Sequence, residues 1–209
     1  MRGAGLALLA LAAAAAAVPG CATRLSEGDA QARAEDAIRR SFTHGNRPMA
    51  ARVERQDEVQ KLCSAYRNAP PKGIAERIEK SQMAAIRYPA SGKLMGDWRQ
   101  GEKIAQNGYG LRFTDPDTKR PNGGSCYNCH QLAPQEISFG TLGPSLQRFG
   151  RQRGTGEVAQ RYAYGKIYNS QAFSACSSMP RFGHNGVLNE AQIGHLVALL
   201  LDPDSPVNK

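Results

Sequence analysis

Residues 126–130 read Cys-Tyr-Asn-Cys-His, and the prediction of the fold starts from these five residues. In a Cys-x-x-Cys-His pattern the two thiols reach the two vinyl groups on one edge of a porphyrin, and the adjoining histidine coordinates the iron. The pattern therefore predicts one covalent haem c, attached at Cys126 and Cys129 and ligated by His130. A zinc site or a redox disulfide is the alternative, but zinc needs two more ordered ligands and a redox pair does not need the histidine.

Two further segments supply what an iron-bound histidine needs. Its second ring nitrogen is normally held by a backbone carbonyl, and Pro144 is the candidate acceptor, by analogy with the Gly-Pro proline of small class I cytochromes c. The second iron ligand should come from a distant segment on the opposite face. Met179, in Ser-Met-Pro-Arg-Phe-Gly, matches by context, and its thioether favours ferrous iron and raises the reduction potential. His184 is the alternative ligand.

Helix signals occur on both sides of these segments. Residues 97–106 predict a short helix with Asp97 as its N-cap, and Asn189 begins an approximate capping box. Between these helices the chain is rich in glycine and proline, which predicts long irregular stretches wrapped around a planar cofactor. The predicted fold is an all-α, class I cytochrome c-like domain over residues 91–209. A buried stripe at helical spacing supports its last helix: Ile193, Leu196, Val197, Leu200 and Leu201.

Residues 21–90 predict a helical extension and not a second domain. Charged and small residues alternate with sparse apolar ones, as in two or three amphipathic helices interrupted at residues 45–48 and 69–73. The apolar positions form strips that rest on the following domain or on another chain, among them Ile74, Ile78 and Ile86.

Cys63 and Cys176 remain once the motif at residues 126–130 and Cys21 are set aside. In an oxidising compartment two leftover cysteines prefer to pair, and a disulfide would pin the extension next to Met179. Free thiols, or a bridge to another chain, are the alternative, because a sequence does not supply the geometry.

Residues 1–20 predict a bacterial export signal, which places the mature chain in the periplasm. Arg2 gives a positive start, an unbroken apolar run occupies residues 6–17, and small residues precede Cys21. The run is too short to cross a bilayer of roughly 30 Å, and we expect no transmembrane helix later in the chain. Val-Pro-Gly-Cys loosely resembles a lipobox, which favours lipidation of Cys21. Cleavage by ordinary signal peptidase is the alternative.

The chain is basic, with a formal net charge of +9, or +8 once Arg2 has left with the signal. Basic chains often bind nucleic acid, but an exported protein seldom meets any, and we expect none here. The charge instead suits steering toward an acidic protein partner. A merely solvated basic surface is the alternative.

Five segments resemble the SoxX family, the monohaem cytochrome c subunits of the SoxAX complexes of bacterial sulfur oxidation. A generic cytochrome c would share only the haem motif and the Met-Pro-x-Phe-Gly element. The extension over residues 21–90 departs from the shorter members of the family. The five segments are GKLMGDW at 92–98, EISFGTLGPSL at 136–146, YGKIYN at 164–169, ACSSMPRFGH at 175–184 and LDPDSPVN at 201–208.

The resemblance implies a function in thiosulfate oxidation. The partner SoxA would hold the site at which thiosulfate is oxidatively joined to a cysteine of the carrier SoxYZ. The present chain would be the redox subunit of this heterodimeric L-cysteine S-thiosulfotransferase and would contribute no catalytic residue. It would accept electrons on a haem ligated by His130 and Met179, and pass them to a soluble cytochrome c.

Two other functions stay open. A free-standing periplasmic electron-transfer cytochrome c needs only the haem motif and the basic charge. A structural lipoprotein with a metal-bound Cys-x-x-Cys pair would be colourless and would contain no iron.

Overall fold

The structure, a computed structural model, describes residues 25–43, 55–110, 112, 115 and 119–209. These residues form helices and no strand, which confirms the predicted all-α class. The predicted signal and Cys21 lie outside the described residues. Within the described ranges, no helix is both long and apolar enough to cross a membrane. The helices are α1 (Glu27–Ser41), α2 (Glu58–Ala65), α3 (Lys72–Ala84), α4 (Trp98–Gln106), α5 (Phe149–Arg153), α6 (Glu157–Tyr168) and α7 (Glu190–Leu201), with 3₁₀ turns at Cys126–Asn128, Ser170–Ala172 and Pro206–Asn208.

α4 and α7 begin where their capping residues predict. The side chain of Asp97 accepts a hydrogen bond from the N–H of Arg99 at the start of α4. Asn189 and Gln192 form a complete capping box at the start of α7, because each side chain accepts a hydrogen bond from the other's backbone N–H. The structure therefore confirms both predicted helices.

The main core forms where α4 crosses α7. A Cβ atom on Gly101 would lie 2.1 Å from the carbonyl oxygen of His195, so the two backbones touch at a point where only glycine fits. Beside the crossing, the N–H of Gly96 donates to the carbonyl of Gly194 (2.9 Å), and the N–H of Asp97 donates to Nδ1 of His195 (2.9 Å). Most residues of α7 are buried, and this helix is the centre of the core.

α6 corrects the prediction of long irregular stretches between α4 and α7. This helix lies inside that span and packs against α7. The sequence held a signal for it, because its buried residues recur at helical spacing. The glycine and proline content of the neighbouring segments concealed that signal. The buried residues of α6 are Ala159, Ala163, Tyr164, Gly165 and Ile167.

The described part of the extension contains three helices, of which α2 and α3 bury apolar side chains. α1 has no buried residue. Of the predicted strip, Ile74 and Ile78 lie on α3 and pack against the segment around Cys176, whereas Ile86 lies beyond the end of α3. α3 begins at Lys72, inside the predicted interruption at residues 69–73, with Pro71 as its N-cap. The interruption at residues 45–48 lies outside the described residues. The apolar cluster comprises Val59, Cys63, Ile78 and Cys176, flanked by Leu62, Ile74 and Ala175.

The crossing of α4 and α7 predicts a large effect of a single methyl group. We expect Gly101→Ala to lower the free energy of unfolding by about 1–3 kcal/mol, the usual cost of overpacking a core, because the new Cβ would collide with backbone of α7. Gly73→Ala is the matched control: no atom lies within 4 Å of its Cβ position, and Gly73 lies within α3. The control should gain about 0.5 kcal/mol of stability. Equal effects in urea unfolding would contradict this account.

Candidate cofactor site

The turn at residues 126–130 brings its two thiols to one side. Cys126–Asn128 form a 3₁₀ helix, in which side chains three residues apart eclipse each other, so Cys126 and Cys129 share a face. The carbonyl of Cys126 accepts hydrogen bonds from the N–H groups of Cys129 (3.1 Å) and His130 (3.0 Å), which close the turn. Both cysteines are free thiols. The turn can therefore present two sulfurs to one edge of a planar group.

Burial is the main cause that raises the pKa of the Cys126 thiol to about 12, and the neighbouring Cys129 adds to it. Burial thus favours the protonated, uncharged form of this thiol. Across the described ranges, no group of three or more His, Cys, Asp or Glu side chains is placed to hold a metal ion.

His130 is held through its Nδ1 atom. This atom lies 2.7 Å from the carbonyl oxygen of Pro144, the acceptor that the sequence proposes. A carbonyl only accepts hydrogen bonds, so Nδ1 carries the proton and Nε2 keeps its lone pair. A histidine with this tautomer and a fixed ring orientation is prepared to coordinate a metal through Nε2.

The loop that carries Pro144 is fastened to the Cys-x-x-Cys-His turn along its length. The N–H of Gly140 donates to the carbonyl of Tyr127 (2.8 Å), and the N–H of Gly143 donates to that of Cys129 (2.8 Å). A Cβ atom on Gly143 would lie 2.1 Å from the imidazole of His130, so glycine at this position makes room for the ring. The loop and the turn therefore form one local unit that orients His130.

Met179 lies on a different segment, between the 3₁₀ turn at Ser170–Ala172 and α7. Its side chain is partly buried and packs against the main core, as does that of Cys126. The Oγ of Ser170 donates a hydrogen bond to the carbonyl of Met179 (2.5 Å), and the N–H of Met179 donates to Oγ of Ser177 (3.3 Å). The same core thus supports the segment with the thioether and the turn with the two thiols. His184, the alternative ligand, is exposed.

Two long-range contacts connect the extension to the Met179 segment, the residues between the 3₁₀ turn at Ser170–Ala172 and α7. Cys63 on α2 and Cys176 form a disulfide, with their Cα atoms 5.4 Å apart. The guanidinium of Arg181, which is 4% exposed, pairs with the carboxylate of Asp57. The sequence indicated the disulfide, but it held no sign of the ion pair, because the two residues are 124 positions apart and each is an ordinary surface type.

The pKa of Asp57 lies below its ordinary value of 3.8. Burial is the largest single influence and would raise the pKa. Together, a hydrogen bond from the N–H of Gln60, a hydrogen bond from Arg181 and the positive charge of Arg181 outweigh it. Asp57 is therefore ionised over a wider pH range in the fold than in the unfolded chain.

The donor set fits a haem c. It comprises two free thiols on one face of a turn, an imidazole with an available Nε2 atom, and a neutral thioether on a separate segment. Cys126 and Cys129 would form the covalent attachment, and His130 and Met179 would supply the two iron ligands. A haem needs no cluster of three protein ligands, because the porphyrin provides four nitrogens.

The described chain is thus an all-α protein in which a Cys-x-x-Cys-His turn is fastened to a helical core. No protein-family model matches its sequence. It is 36% identical over 157 residues to a protein of Aquifex aeolicus (strain VF5) named "Uncharacterized lipoprotein". The match covers 74% of this chain and 73% of that protein. The chain belongs to the same family as this lipoprotein.

The lowered pKa of Asp57 predicts how the ion pair depends on pH. A group with a lower pKa in the folded state stabilises the fold above the unfolded value, and this contribution is lost as the pH falls through the folded value. We expect Asp57→Asn to be less stable than the native chain at neutral pH, and the difference to shrink as the pH falls below about 3.8. Urea unfolding of both chains across this range measures the difference. A difference that stays constant with pH would contradict the assignment.

Proposed function

We propose that this protein is an exported monohaem cytochrome c of the SoxX kind, with a class I cytochrome c-like domain over residues 91–209. The observation that carries the proposal is the turn at residues 126–130, in which two free thiols share a face and the Pro144 carbonyl holds His130. The five segments that resemble the SoxX family add the more specific assignment.

Different residues of the chain would attach the cofactor, orient its histidine ligand and supply its second ligand. The free thiols of Cys126 and Cys129 would hold the haem covalently, each through one thioether bond to a former vinyl group. The carbonyl of Pro144 fixes the ring of His130 and makes it a better donor. The neutral thioether of Met179 would favour the ferrous state and raise the reduction potential. When bound, the haem supplies a one-electron couple.

The proposed role is to accept electrons, while the sulfur chemistry takes place on a partner. Among the described cysteines, Cys63 and Cys176 are paired, and Cys126 and Cys129 belong to the haem motif. None of these four is left to act as a sulfur nucleophile. The SoxX resemblance implies a heterodimer in which SoxA joins thiosulfate to the SoxYZ carrier, and in which this chain passes the electrons to a soluble cytochrome c.

An apolar surface on the loop before Pro144 suits the partner. Ile137 is fully exposed at 101% and Leu142 is 89% exposed, and Phe139 between them is also exposed. Large apolar side chains in water often mark a protein interface. The loop is fastened to the haem-binding turn, so a SoxA chain that docks here would lie close to the site that accepts its electrons.

The proposed location is the periplasm, with a lipid on Cys21. The relative in Aquifex aeolicus is named a lipoprotein, and Cys21 follows an apolar signal-like segment. Mass spectrometry of the mature N-terminal peptide tests this proposal. Acyl groups on Cys21 would support it, and an unmodified N-terminus would replace it with ordinary signal cleavage.

The optical spectrum of the exported protein tests the haem proposal. We expect a covalent c-type spectrum with the weak red band of methionine bound to ferric iron. Met179→Ala should keep the covalent haem, lose that band and lower the reduction potential, because a stabilising soft ligand is gone. Cys126→Ser with Cys129→Ser should abolish covalent attachment. A colourless native protein would overturn the proposal, and an unchanged band in Met179→Ala would assign the ligand elsewhere, with His184 the first candidate.

Co-purification with SoxA tests the partner. We expect Ile137→Asp to weaken the complex by about 2 kcal/mol or more, as at interface hot spots, and to leave the haem spectrum unchanged. Val158→Asp is the matched control, because Val158 is 86% exposed on α6. Failure of the native chain to bind SoxA, with a normal haem spectrum, would favour the free-standing electron carrier.

A further inference from the structure

The extension contacts the Met179 segment at points on both sides of Met179. Residues 57–82, which include α2 and most of α3, form the clamp segment. Before Met179, the disulfide from Cys63 reaches Cys176, and the carboxylate of Glu79 accepts a hydrogen bond from the N–H of Ala175 (2.9 Å). The two residues Ala175 and Cys176 are thus fixed to α2 and α3 by a covalent bond and a hydrogen bond.

After Met179, the contact passes through a buried charge. Arg181 is 4% exposed, and its guanidinium contacts both ends of the clamp segment. It pairs with the carboxylate of Asp57, and its second amino group donates to the side-chain oxygen of Gln82 (3.2 Å). A buried guanidinium is stable only where its charge and its N–H groups find acceptors. The position of Arg181 therefore depends on the clamp segment.

A third contact connects the clamp segment to the backbone of Met179 indirectly, through Asn169 and Ser170. The side-chain amide of Asn169 donates to the side-chain oxygen of Gln82 (3.0 Å), and Asn169 lies next to Ser170 in the chain. The hydroxyl of Ser170 in turn donates to the carbonyl of Met179 (2.5 Å). Gln82 thus accepts hydrogen bonds from both sides of the segment, from Asn169 before Met179 and from Arg181 after it.

We propose that the clamp segment is a positioning device for the thioether of Met179. This inference rests on the proposed function, in which Met179 is the second iron ligand. Asp57, Cys63 and Gln82 act through Arg181, Cys176 and Asn169, and they are positioning residues because none of them is a ligand. The clamp segment keeps the Met179 segment in one conformation, so that the open state with the thioether withdrawn is rarely populated.

The physical need for such a device follows from the ligand. A thioether is neutral and makes no ion pair with the iron, so its hold depends on the segment that presents it. The segment is irregular between the 3₁₀ turn at Ser170–Ala172 and α7, and it contains Pro180, Gly183 and Gly186. Loops of this kind open readily unless other contacts fix them. The clamp segment supplies those contacts from a part of the chain that holds no proposed ligand.

Binding of imidazole to the ferric protein measures how often the thioether withdraws. The full chain is compared with two variants. One is Asp57→Asn, and the other is a double variant that carries both Cys63→Ser and Cys176→Ser. We expect both variants to bind imidazole about tenfold faster, which corresponds to about 1.4 kcal/mol in the opening equilibrium, and to lose their red band at lower imidazole concentration. Covalent haem content should stay unchanged. Asp57→Asn keeps an N-cap side chain at the start of α2, so its effect reports the lost charge and not a lost helix cap.

The controls separate the possible outcomes. Glu157→Gln removes an exposed ion pair with Arg161 on α6 and should bind imidazole at the native rate. Met179→Ala sets the rate for a fully open site. If Met179→Ala is fast while both clamp variants remain at the native rate, the positioning role is overturned and the haem proposal stands. If the native protein shows no methionine band, the ligand assignment fails and the inference fails with it. If the cysteine variant does not fold, the rate of imidazole binding to Asp57→Asn decides.

Discussion

Two helix backbones touch where Gly101 meets the carbonyl of His195, and the rest of the structure is arranged around that contact. Because α4 is fixed there, its end provides a firm acceptor: the carbonyl of Ile104 accepts a hydrogen bond from the N–H of Gly124 (2.8 Å), directly before the Cys-x-x-Cys-His turn. α7 supports α6 on another side, and the segment with Met179 runs between α6 and α7. This helix crossing therefore supports the Cys-x-x-Cys-His turn through the end of α4, and it supports α6 through α7.

The two halves of the proposed ligand set are secured in different ways. His130 is oriented by its own neighbourhood, since Pro144 follows it by only 14 residues and the loop between them is bonded to the turn. The backbone of Met179 is hydrogen-bonded by Ser170 and Ser177, and its segment is held in addition by contacts from residues about a hundred positions earlier in the chain. A histidine in a tight turn can be fixed locally, whereas a ligand on an irregular segment needs help from elsewhere in the fold.

This difference also explains how much of the fold and the site is predictable from the sequence. Asp97, Asn189 and the pattern at residues 126–130 act over three or four positions, so their local consequences follow from neighbouring residues alone. The disulfide of Cys63 and Cys176 was indicated because few cysteines were left to pair. The buried pair of Arg181 and Asp57 had no such signal. The buried residues of α6 have the spacing of a helix, but the glycine and proline in the neighbouring segments conceal that signal.

The disulfide joins two cysteines 113 positions apart in the chain, and the pair at Cys126 and Cys129 lies between them. Under the proposed function, two cysteine pairs of one polypeptide need opposite treatment during maturation. The outer pair must be oxidised, while the inner pair must stay reduced until its sulfurs bond to carbon. If Cys126 were to join Cys129 or an outer thiol, the cofactor could not attach until that disulfide was reduced. Maturation of this chain therefore depends on the timing of cysteine oxidation relative to cofactor delivery. Molecules in which the inner pair is oxidised first do not receive the cofactor.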